Sequence, residues 1–340
     1  MTQVIHDRRL KLFVRGLAIV LGASLVVLIS GLTGHREVIM PTFGALMTGG
    51  WLIQNNLWHY HRLNLLVSLP MAAVIGLIIS KLVAGLGEWV VFPGLYLGFM
   101  LVAAILIIGR TQIYPCFGAM SLPIIIHTTS WIYPLSVVLM CVVIVCVQYI
   151  FEKTGIRKPL DEGEFPDLPL HRRERALYYL RVSMGLVPIL VVIIVSHFAF
   201  HLDIQMVLQA PLFVTYATFC NGHSAFIRYP VQTWVQLVLA ALVGTGALFA
   251  GGFLYQQNYL NIDFSYLYAI EVGFAVLSML CLSRFFHRIF PPAISLAITP
   301  FLIQHPLLPI YVAIGAGYFI GVAWALRRHP AYENKDLKYL

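Results

Sequence analysis

The segment from Arg288 to Ile303 reads RIFPPAISLAITPFLI, an apolar run with two prolines near its start and a third further on. Proline fixes the backbone angle φ and removes a hydrogen-bond donor. The run is also shorter than the ~20 apolar residues that an ordinary membrane-spanning helix needs. The sequence therefore predicts a short or broken helix here, whose freed backbone groups are satisfied by protein or by trapped water.

The first half of the chain contains a similar segment. Residues 113–126 read IYPCFGAMSLPIII, again apolar and interrupted by proline. Two such segments in corresponding positions of two halves are typical of transporters whose substrate site lies between internal repeats. The pair therefore predicts that the halves are repeats and that these segments lie near whatever the protein handles.

The composition predicts an integral membrane protein. Hydrophobic residues make up 60% of the 340 residues and charged residues 11%, against roughly 25% charged in a soluble domain. The net charge of +8 comes from loop residues, so it predicts orientation in a lipid bilayer and no nucleic-acid partner. The five cysteines form no C-x-x-C pair, so neither a disulfide framework nor a zinc site is predicted.

Twelve apolar segments are predicted, six on each side of the longest polar interruption. They cover residues 12–33, 39–53, 63–86, 92–109, 113–127, 131–151, 177–202, 204–220, 231–255, 265–283, 289–304 and 307–326. The second and fifth segments of each half are short, and proline lies at or near each start: Pro41, Pro115, Pro211 and Pro291. We therefore predict an all-α polytopic membrane protein, with about 10–12 transmembrane segments in two parallel six-segment repeats with short proline-broken helices.

The domain boundaries follow from the same segments. We predict a first membrane repeat over 1–151, a cytoplasmic linker over 152–176, a second membrane repeat over 177–326 and a cytoplasmic tail over 327–340. If the N-terminus is cytoplasmic and every segment crosses, all of the 22 Lys and Arg residues except Arg36 and Lys81 fall on the inner side. That distribution agrees with the positive-inside rule. Both termini are therefore predicted in the cytoplasm, and the protein in the cell membrane of a bacterium.

Residue matches support the repeat. An offset of 170 pairs Pro41 with Pro211 and Gly76 with Gly246, and an offset of 176 aligns the two proline-broken segments quoted above. Each repeat has an even number of segments, so both halves face the same way. An axis along the membrane normal is then expected to relate them.

These motifs resemble the HPP family of integral membrane proteins, named for a His-Pro-Pro motif. The family pattern has a Pro-Phe-Gly-like segment, a proline before a Gly- and Ala-rich helix, and the closing His-Pro-Pro. The resembling stretches here are MPTFGA at 40–45, the weaker YPC at 114–116, APLF at 210–213, YP at 229–230 with LAALVG at 239–244, and FPPA at 290–293. The resemblance covers about 40–127 and 210–305.

This chain departs from the family pattern in two ways. Phe290 stands at the position of the motif histidine, and His287 lies three residues earlier. Members are usually single-copy, whereas this chain resembles a fused pair. The resemblance implies a transporter or channel for a small anion, with nitrite as the first candidate because plant and cyanobacterial members are linked to nitrite transport. No nucleotide-binding loop, nucleophile elbow or H-E-x-x-H is present, so no enzyme activity and no cofactor is predicted.

The short proline-led segments carry the candidate substrate-binding hydroxyls. These are Thr42, Thr48, Ser121, Thr215, Thr218, Ser295 and Thr299. The N-terminus of a half-helix exposes unpaired N–H groups and a positive dipole end, which suit an anion. Neighbouring hydroxyls would complete a site between the two repeats. The alternative is that each hydroxyl hydrogen-bonds across closely packed helices.

Three charged residues join the candidate site. Glu271 is the only acid predicted well inside a span, where an ionisable group usually faces a cavity or a partner. It is either a proton site or gate, or a carboxylate near the outer end that reaches the headgroups. Arg15 and Arg181 match across the repeat. They either draw an anion toward the pore or extend to the inner headgroups.

Two other functions remain open. His197 and His201 lie four residues apart on one helix face, a spacing that suits haem or a metal. They favour a membrane-embedded haem- or metal-binding redox protein or enzyme, unless they are interfacial histidines. The other alternative is a scaffold that transports nothing. Separately, Gly317 and Gly321 form a G-x-x-x-G pattern, which predicts tight helix packing or a homodimer contact.

Overall fold

The computed structural model describes residues 2–53, 62–158, 172–220, 225–256, 263–286 and 288–328. Within these ranges the chain is helical and has no strand. The first half holds α1 (Thr2–Thr33), α2 (Thr42–Met47), α3 (Arg62–Val83), α4 (Val91–Ile108), α5 (Pro115–Ile125) and α6 (Ile132–Lys153). The second half holds α7 (Arg172–Phe200), α8 (Ile204–Val207), α9 (Ala210–Cys220), α10 (Pro230–Gln256), α11 (Phe264–Phe285), α12 (Pro291–Leu302) and α13 (Leu308–Arg328).

Eight of the described helices are long and apolar enough to cross a membrane. They are α1, α3, α4, α6, α7, α10, α11 and α13, and they confirm the prediction of a helical membrane protein. The predicted linker and tail are described only in part, because residues 159–171 and 329–340 lie outside the described ranges.

Prolines explain why α5 and α12 are short. Pro115 is the first residue of α5, and Pro291 begins α12. Proline suits this position because the first N–H groups of a helix have no partner within it. Pro123 and Pro300 lie near the opposite ends of the same helices. With 11 and 12 residues, these helices extend about 17–18 Å at 1.5 Å per residue, well short of a ~30 Å hydrocarbon core.

Hydrogen bonds and ion pairs fix the direction of each helix in the first half. Arg62 at the start of α3 pairs with Glu152 near the end of α6. Asn64 Nδ2 donates to the carbonyl of Gly109, directly after α4, at 3.2 Å. The start of α3 therefore lies beside the ends of α4 and α6. We call this the basic end of the bundle, and the other the opposite end.

In the first half, the segments that contain α2 and α5 each run from one end of the bundle to the other. Arg15 of α1 lies at the basic end, where it donates to the carbonyl of Ile156. Thr33 closes α1 18 residues later, about 27 Å away. The segment with α2 and a π-helical turn at 48–52 then leads back to the start of α3. In the same way, α5 leads from the end of α4 to the start of α6.

The second half repeats this pattern. Gln232 near the start of α10 donates to the carbonyl of Phe286, directly after α11, at 2.8 Å. Gln304 after α12 donates to the hydroxyl of Tyr268 near the start of α11, at 2.9 Å. The segment with α9 therefore joins the two ends of the bundle, and so does α12.

The first helix of each half packs against the other half. Helix α1 packs along α11, where an added Cβ at Gly31 would lie 2.8 Å from Cβ of Ser265. Helix α7 packs along α4, and Trp89 before α4 stacks on Phe198 with ring centroids 4.5 Å apart. The first helices are thus exchanged between the halves.

The four short helices form the centre of the bundle. Every residue of 42–52, α5 and α12 is buried, as are all but the last of α9. Helix α2 packs on α12 and α5, and α9 packs on the same two helices. We call α2 with its π turn, α5, α9 and α12 the central ring. The long helices surround it and expose apolar residues such as Leu135 and Val231.

Two glycines hold the ring close to its surroundings. A Cβ at Gly76 of α3 would collide with the carbonyl oxygen of Met120 and meet Pro123 Cγ at 2.7 Å. A Cβ at Gly244 of α10 would collide with the carbonyl oxygen of Ala297 and meet the Pro300 ring at 3.0 Å. By contact, the counterpart of Gly76 is therefore Gly244 and not Gly246, which has no atom within 4 Å of such a Cβ.

Candidate functional site

The two halves meet where α2 crosses α12. The N–H groups of Phe43 and Gly44 each bond to a carbonyl of the preceding turn at 2.9 Å. The N–H of Ala45 donates to Ser295 Oγ at 2.9 Å. Ser295 of one half thus caps the first turn of the short helix of the other half. An anion at this helix end would have to take the place of the serine oxygen.

The second crossing, of α5 with α9, is made through a glycine. A Cβ at Gly118 would lie 3.2 Å from the carbonyl oxygen of Ala210 and 3.1 Å from Val214 Cγ2. It would also collide with Cγ2 of Thr42. The absence of a side chain at Gly118 therefore lets α2, α5 and α9 approach one another closely.

Most of the predicted hydroxyls bond within their own helix. The acceptors are carbonyls three or four residues earlier in the chain: Thr48 donates to Gly44 (2.7 Å), Ser121 to Gly118 (3.2 Å), Thr215 to Pro211 (2.9 Å), Thr218 to Val214 (2.7 Å) and Thr299 to Ser295 (3.0 Å). Such bonds satisfy the hydroxyl proton without linking helices.

Thr42 is different from these hydroxyls. Its side chain is fully buried, and its Oγ1 has no hydrogen-bond partner among the described residues. It lies in the first turn of α2, the turn that Ser295 caps. A buried hydroxyl without a partner costs free energy.

Glu271 is buried outside the central ring. The residue is 6% exposed, and it lies seven positions into α11, about 10 Å along the helix. A Cβ at Gly251 of α10 would collide with its Oε1. Neither carboxyl oxygen has a hydrogen-bond partner among the described residues. The carboxyl is thus enclosed between α10 and α11, where an unpaired charge is expensive.

Arg15 does not join the central ring. Arg15 is 3% exposed and lies at the basic end, where its guanidinium donates through two nitrogens to the carbonyl of Ile156. That carbonyl follows the end of α6. Arg181 belongs to α7, but its side chain lies outside the described part of the chain.

His197 of α7 and His201, which follows the end of α7, line a cavity at the opposite end. The prediction that both lie on one helix face is wrong, because the helix ends at Phe200 and His201 has a positive φ of 50°. The cavity has a volume of about 340 Å³, and its lining includes His127, His197, His201 and Asp203. A ring nitrogen of His197, Nδ1, lies 2.6 Å from the carbonyl oxygen of Leu202. Among the described residues no group of three or more His, Cys, Asp or Glu side chains is placed to hold a metal ion.

Some residues of interest were not found from the sequence. Gly251, which faces Glu271, is marked only by the Gly251-Gly252 pair within α10. Glu152 falls in the predicted linker, but it belongs to α6 and lies at the centre of a polar cluster at the end of that helix. On α13, Gly315 makes the close contact, since an added Cβ would lie 2.6 Å from the carbonyl oxygen of Val207. Gly317 and Gly321 remain on the surface.

Comparison with known proteins adds no relative: no protein-family model, curated protein or solved structure matches this chain. The resemblance to the HPP family therefore stays an expectation from the sequence motifs.

Proposed function

We propose that this protein is a membrane transporter or channel for a small anion, with its substrate site in the central ring between the two halves. One observation carries the proposal: four short, proline-led helices are buried in the middle of the bundle and cross in pairs between the halves. Broken or short helices near the middle of a membrane bundle are a common way to build a substrate site between repeats.

The lining of the central ring favours a small monovalent substrate. The segments 42–52, 115–125, 210–220 and 291–302 contain no Asp, Glu, Lys or Arg. A multiply charged anion would need buried Arg or Lys side chains to replace its water. Hydroxyls and helix N-termini offer weaker, neutral donors. Thr42 and Ser295 are our first candidates for contact, followed by Thr48, Ser121, Thr215, Thr218 and Thr299.

The proposed topology is two parallel six-segment repeats with twelve crossings. It is supported by the positions of the helix ends. The segments that contain α2, α5, α9 and α12 each run from one end of the bundle to the other. The matching contacts of Gly76 and Gly244 also support it. Both termini would then be cytoplasmic, because most of the Lys and Arg side chains that the structure describes belong to segments at the basic end. Nitrite and a bacterial cell membrane remain proposals that rest on the resemblance and on the sequence.

Glu271 is proposed as the proton site or gate. It is buried and has no partner among the described residues, and it belongs to α11, which packs on α12, the helix that carries Ser295. A carboxyl in this position can take up and release a proton without breaking an ion pair. Arg15 and Arg181 are proposed only as long-range sources of positive potential.

Anion flux into proteoliposomes tests the proposal. Purified protein is reconstituted, nitrite, nitrate, formate or chloride is added outside, and internal anion and pH are followed. We expect protein-dependent flux that Thr42→Val reduces, while Thr154→Val at the exposed end of α6 leaves it unchanged. Glu271→Gln is expected to remove the pH dependence of the flux. Folded, oriented protein that conducts none of these anions would overturn the proposal.

Labelling tests the orientation separately. In a cysteine-free background, Thr129→Cys at the opposite end is expected to react with a membrane-impermeant maleimide added to whole cells. Lys158→Cys at the basic end is expected to react only after the cells are permeabilised. The reverse pattern would overturn cytoplasmic termini and leave the transport proposal untouched.

A scaffold function is the second candidate, because five of the seven ring hydroxyls already bond within their own helices. It predicts that Thr42→Val changes only stability, and that no anion moves.

A further inference from the structure

Glu271 lies nearer to the opposite end of the bundle than to the basic end. Helix α11 begins at Phe264 and ends at Phe285. At 1.5 Å per residue, Glu271 is about 10 Å from its start at the opposite end and about 21 Å from its end at the basic end. Both carboxyl oxygens are buried and have no hydrogen-bond partner among the described residues. A proton that enters from the opposite end therefore has the shorter way to this carboxyl.

The helices that pack chiefly on α11 bring no charge to the depth of Glu271. They are α1, α10 and α12. Neither α10 nor α12 contains an Asp, Glu, Lys, Arg or His, and α1 contains none after Arg15, which lies at the basic end. The segment 257–262, which joins α10 to α11, contains none either. A charge on Glu271 is therefore expensive, and a proton is the partner that relieves it.

The titratable side chains nearest to this carboxyl belong to the opposite end. On or next to α11 they are Asp263, Tyr266 and Tyr268, and around it they are Tyr255 of α10, His305 after α12, and His35, Arg36 and Glu37 in the turn after α1. Asp263 caps the start of α11, where it accepts a 2.8 Å hydrogen bond from the N–H of Ser265. Tyr268 is the closest of the group to Glu271 along the helix, three residues away.

Tyr268 links the depth of Glu271 to the surface. Its side chain is partly exposed, and its hydroxyl accepts a 2.9 Å hydrogen bond from Nε2 of the exposed Gln304. A spacing of three residues places Tyr268 and Glu271 on neighbouring turns of one helix face. Long side chains on a helix point back toward its N-terminus. The carboxyl of Glu271 therefore lies over the turn that carries Tyr268.

Toward the basic end, the same face of α11 is apolar and packed. Ala275 and Met279, one and two turns after Glu271, have no exposed surface. The next titratable side chain of α11 in this direction is Cys281, about 15 Å beyond Glu271. This side of Glu271 thus offers no neighbouring group that could hand on a proton.

We propose that Tyr268 and Gln304 form the proton path of Glu271, and that this path opens at the opposite end of the bundle and not at the basic end. Gln304 holds the Tyr268 hydroxyl at the surface. The hydroxyl passes its proton to the carboxylate and takes another from water, so it is unchanged after each transfer. The proposal rests on the proposed role of Glu271 as a proton site, and it adds the side from which the proton comes.

Labelling with dicyclohexylcarbodiimide tests the side of access without any transported anion. This apolar reagent enters the membrane and reacts with protonated carboxyl groups, and mass spectrometry of the peptide that contains Glu271 measures the product. The protein is reconstituted in vesicles whose inner and outer pH are set separately, and the Thr129→Cys label shows which end faces outward. We expect labelling to follow the pH at the opposite end, falling about tenfold per pH unit above its midpoint. The pH at the basic end is expected to have no effect.

Time-resolved infrared spectroscopy tests the two path residues. Protons are released by light at the opposite end, and the carboxyl C=O band that Glu271→Gln lacks reports protonation. Tyr268→Phe removes the hydroxyl and keeps the ring, and we expect it to slow this band at least about tenfold. Gln304→Leu is expected to slow it in the same direction. Tyr266→Phe is the matched control, because Tyr266 is 49% exposed on the same helix, and it is expected to match the wild type.

The outcomes separate the path from the proton role on which it rests. Labelling that follows the pH at the basic end would overturn the path and leave Glu271 as a proton site. Equal rates for Tyr268→Phe and Tyr266→Phe would do the same. Labelling of Glu271 that is identical at every pH would overturn both the path and the proton site.

Discussion

The two halves of the molecule pack alike around the central ring. Gly76 and Gly244 each admit a backbone carbonyl and a proline ring from a neighbouring short helix. The short helices on both sides of the crossing begin with proline or with a turn that contains it. These shared contacts set the spacing of the ring, so they are requirements of the architecture.

The halves differ in where they bury charge. The α10–α11 interface of the second half encloses Glu271 against Gly251, whereas the α3–α4 interface of the first half is apolar where Gly94 faces Ile79 and Val83. Among the described side chains, the buried arginines belong to the first half. The contacts that both halves share do not include these charges, and we propose a function for Glu271.

The largest expected effect comes from filling the shared glycine contacts. Gly76→Ala and Gly244→Ala are each expected to lower the free energy of unfolding by about 2–3 kcal/mol, because a backbone carbonyl cannot move aside as a side chain can. The measurement is unfolding of the purified protein in mixed micelles. Gly246→Ala, two residues from Gly244 on the same helix, is the control. It is expected to be neutral or to stabilise by up to about 1 kcal/mol. Equal behaviour of Gly244→Ala and Gly246→Ala would show that the halves do not share this contact.

The next effect concerns the acid that only the second half buries. Glu271→Gln keeps the shape of the side chain and removes a charge that has no partner among the described residues. We expect it to raise the free energy of unfolding by about 1–2 kcal/mol, while the flux assay loses its pH dependence. Glu37→Gln, at a partly exposed carboxylate that lies 3.7 Å from His35 Nδ1, is expected to change stability by less than about 0.5 kcal/mol. A destabilised Glu271→Gln protein would mean that the carboxylate has a stabilising partner, and would argue against a site that gains and loses a proton.

The smallest expected effect is at the crossing of the halves. Ser295→Ala removes the acceptor of the Ala45 N–H and is expected to cost about 1 kcal/mol, since a buried donor is left unpaired. Thr299→Val, one turn later, removes only a hydroxyl bonded within its own helix. It is expected to cost less than about 0.5 kcal/mol. Melting curves of the two variants, measured side by side, check this order, and the reverse order would contradict the assignment of Ser295 as a cap between halves.

The short helices could be predicted from the sequence because proline acts locally. Pro115 and Pro291 restrict the chain wherever it lies, and α5 and α12 begin at these residues. The long helices could also be predicted from the sequence, since an apolar run of about 20 residues is typical of a membrane-spanning helix.

The contacts between helices could not be predicted in the same way. Lipid and neighbouring helices are both apolar, so a membrane helix has little hydrophobic pattern to show which face meets protein. The exchange of α1 and α7 between halves therefore left no signal. The offset pairs Gly76 with Gly246, whereas Gly244 makes the contact that resembles that of Gly76, because an offset counts positions and not contacts. The bonds of Thr215 and Thr218 within α9 depend on side-chain rotamers that composition does not determine.

The exchange of first helices has a consequence for biogenesis. Helix α1 finds its final neighbour α11 only after the intervening chain, from Thr33 to Phe264, has been synthesised. At 5–20 residues per second this takes roughly 10–50 s. During this time the small-residue face of α1, with Gly31 and Ser24, contacts lipid or another protein. The first half is thus inserted before its partner helices exist. A ribosome that stalls in the linker would leave two helix faces without their protein neighbours, the face of α1 that packs on α11 and the face of α4 that packs on α7.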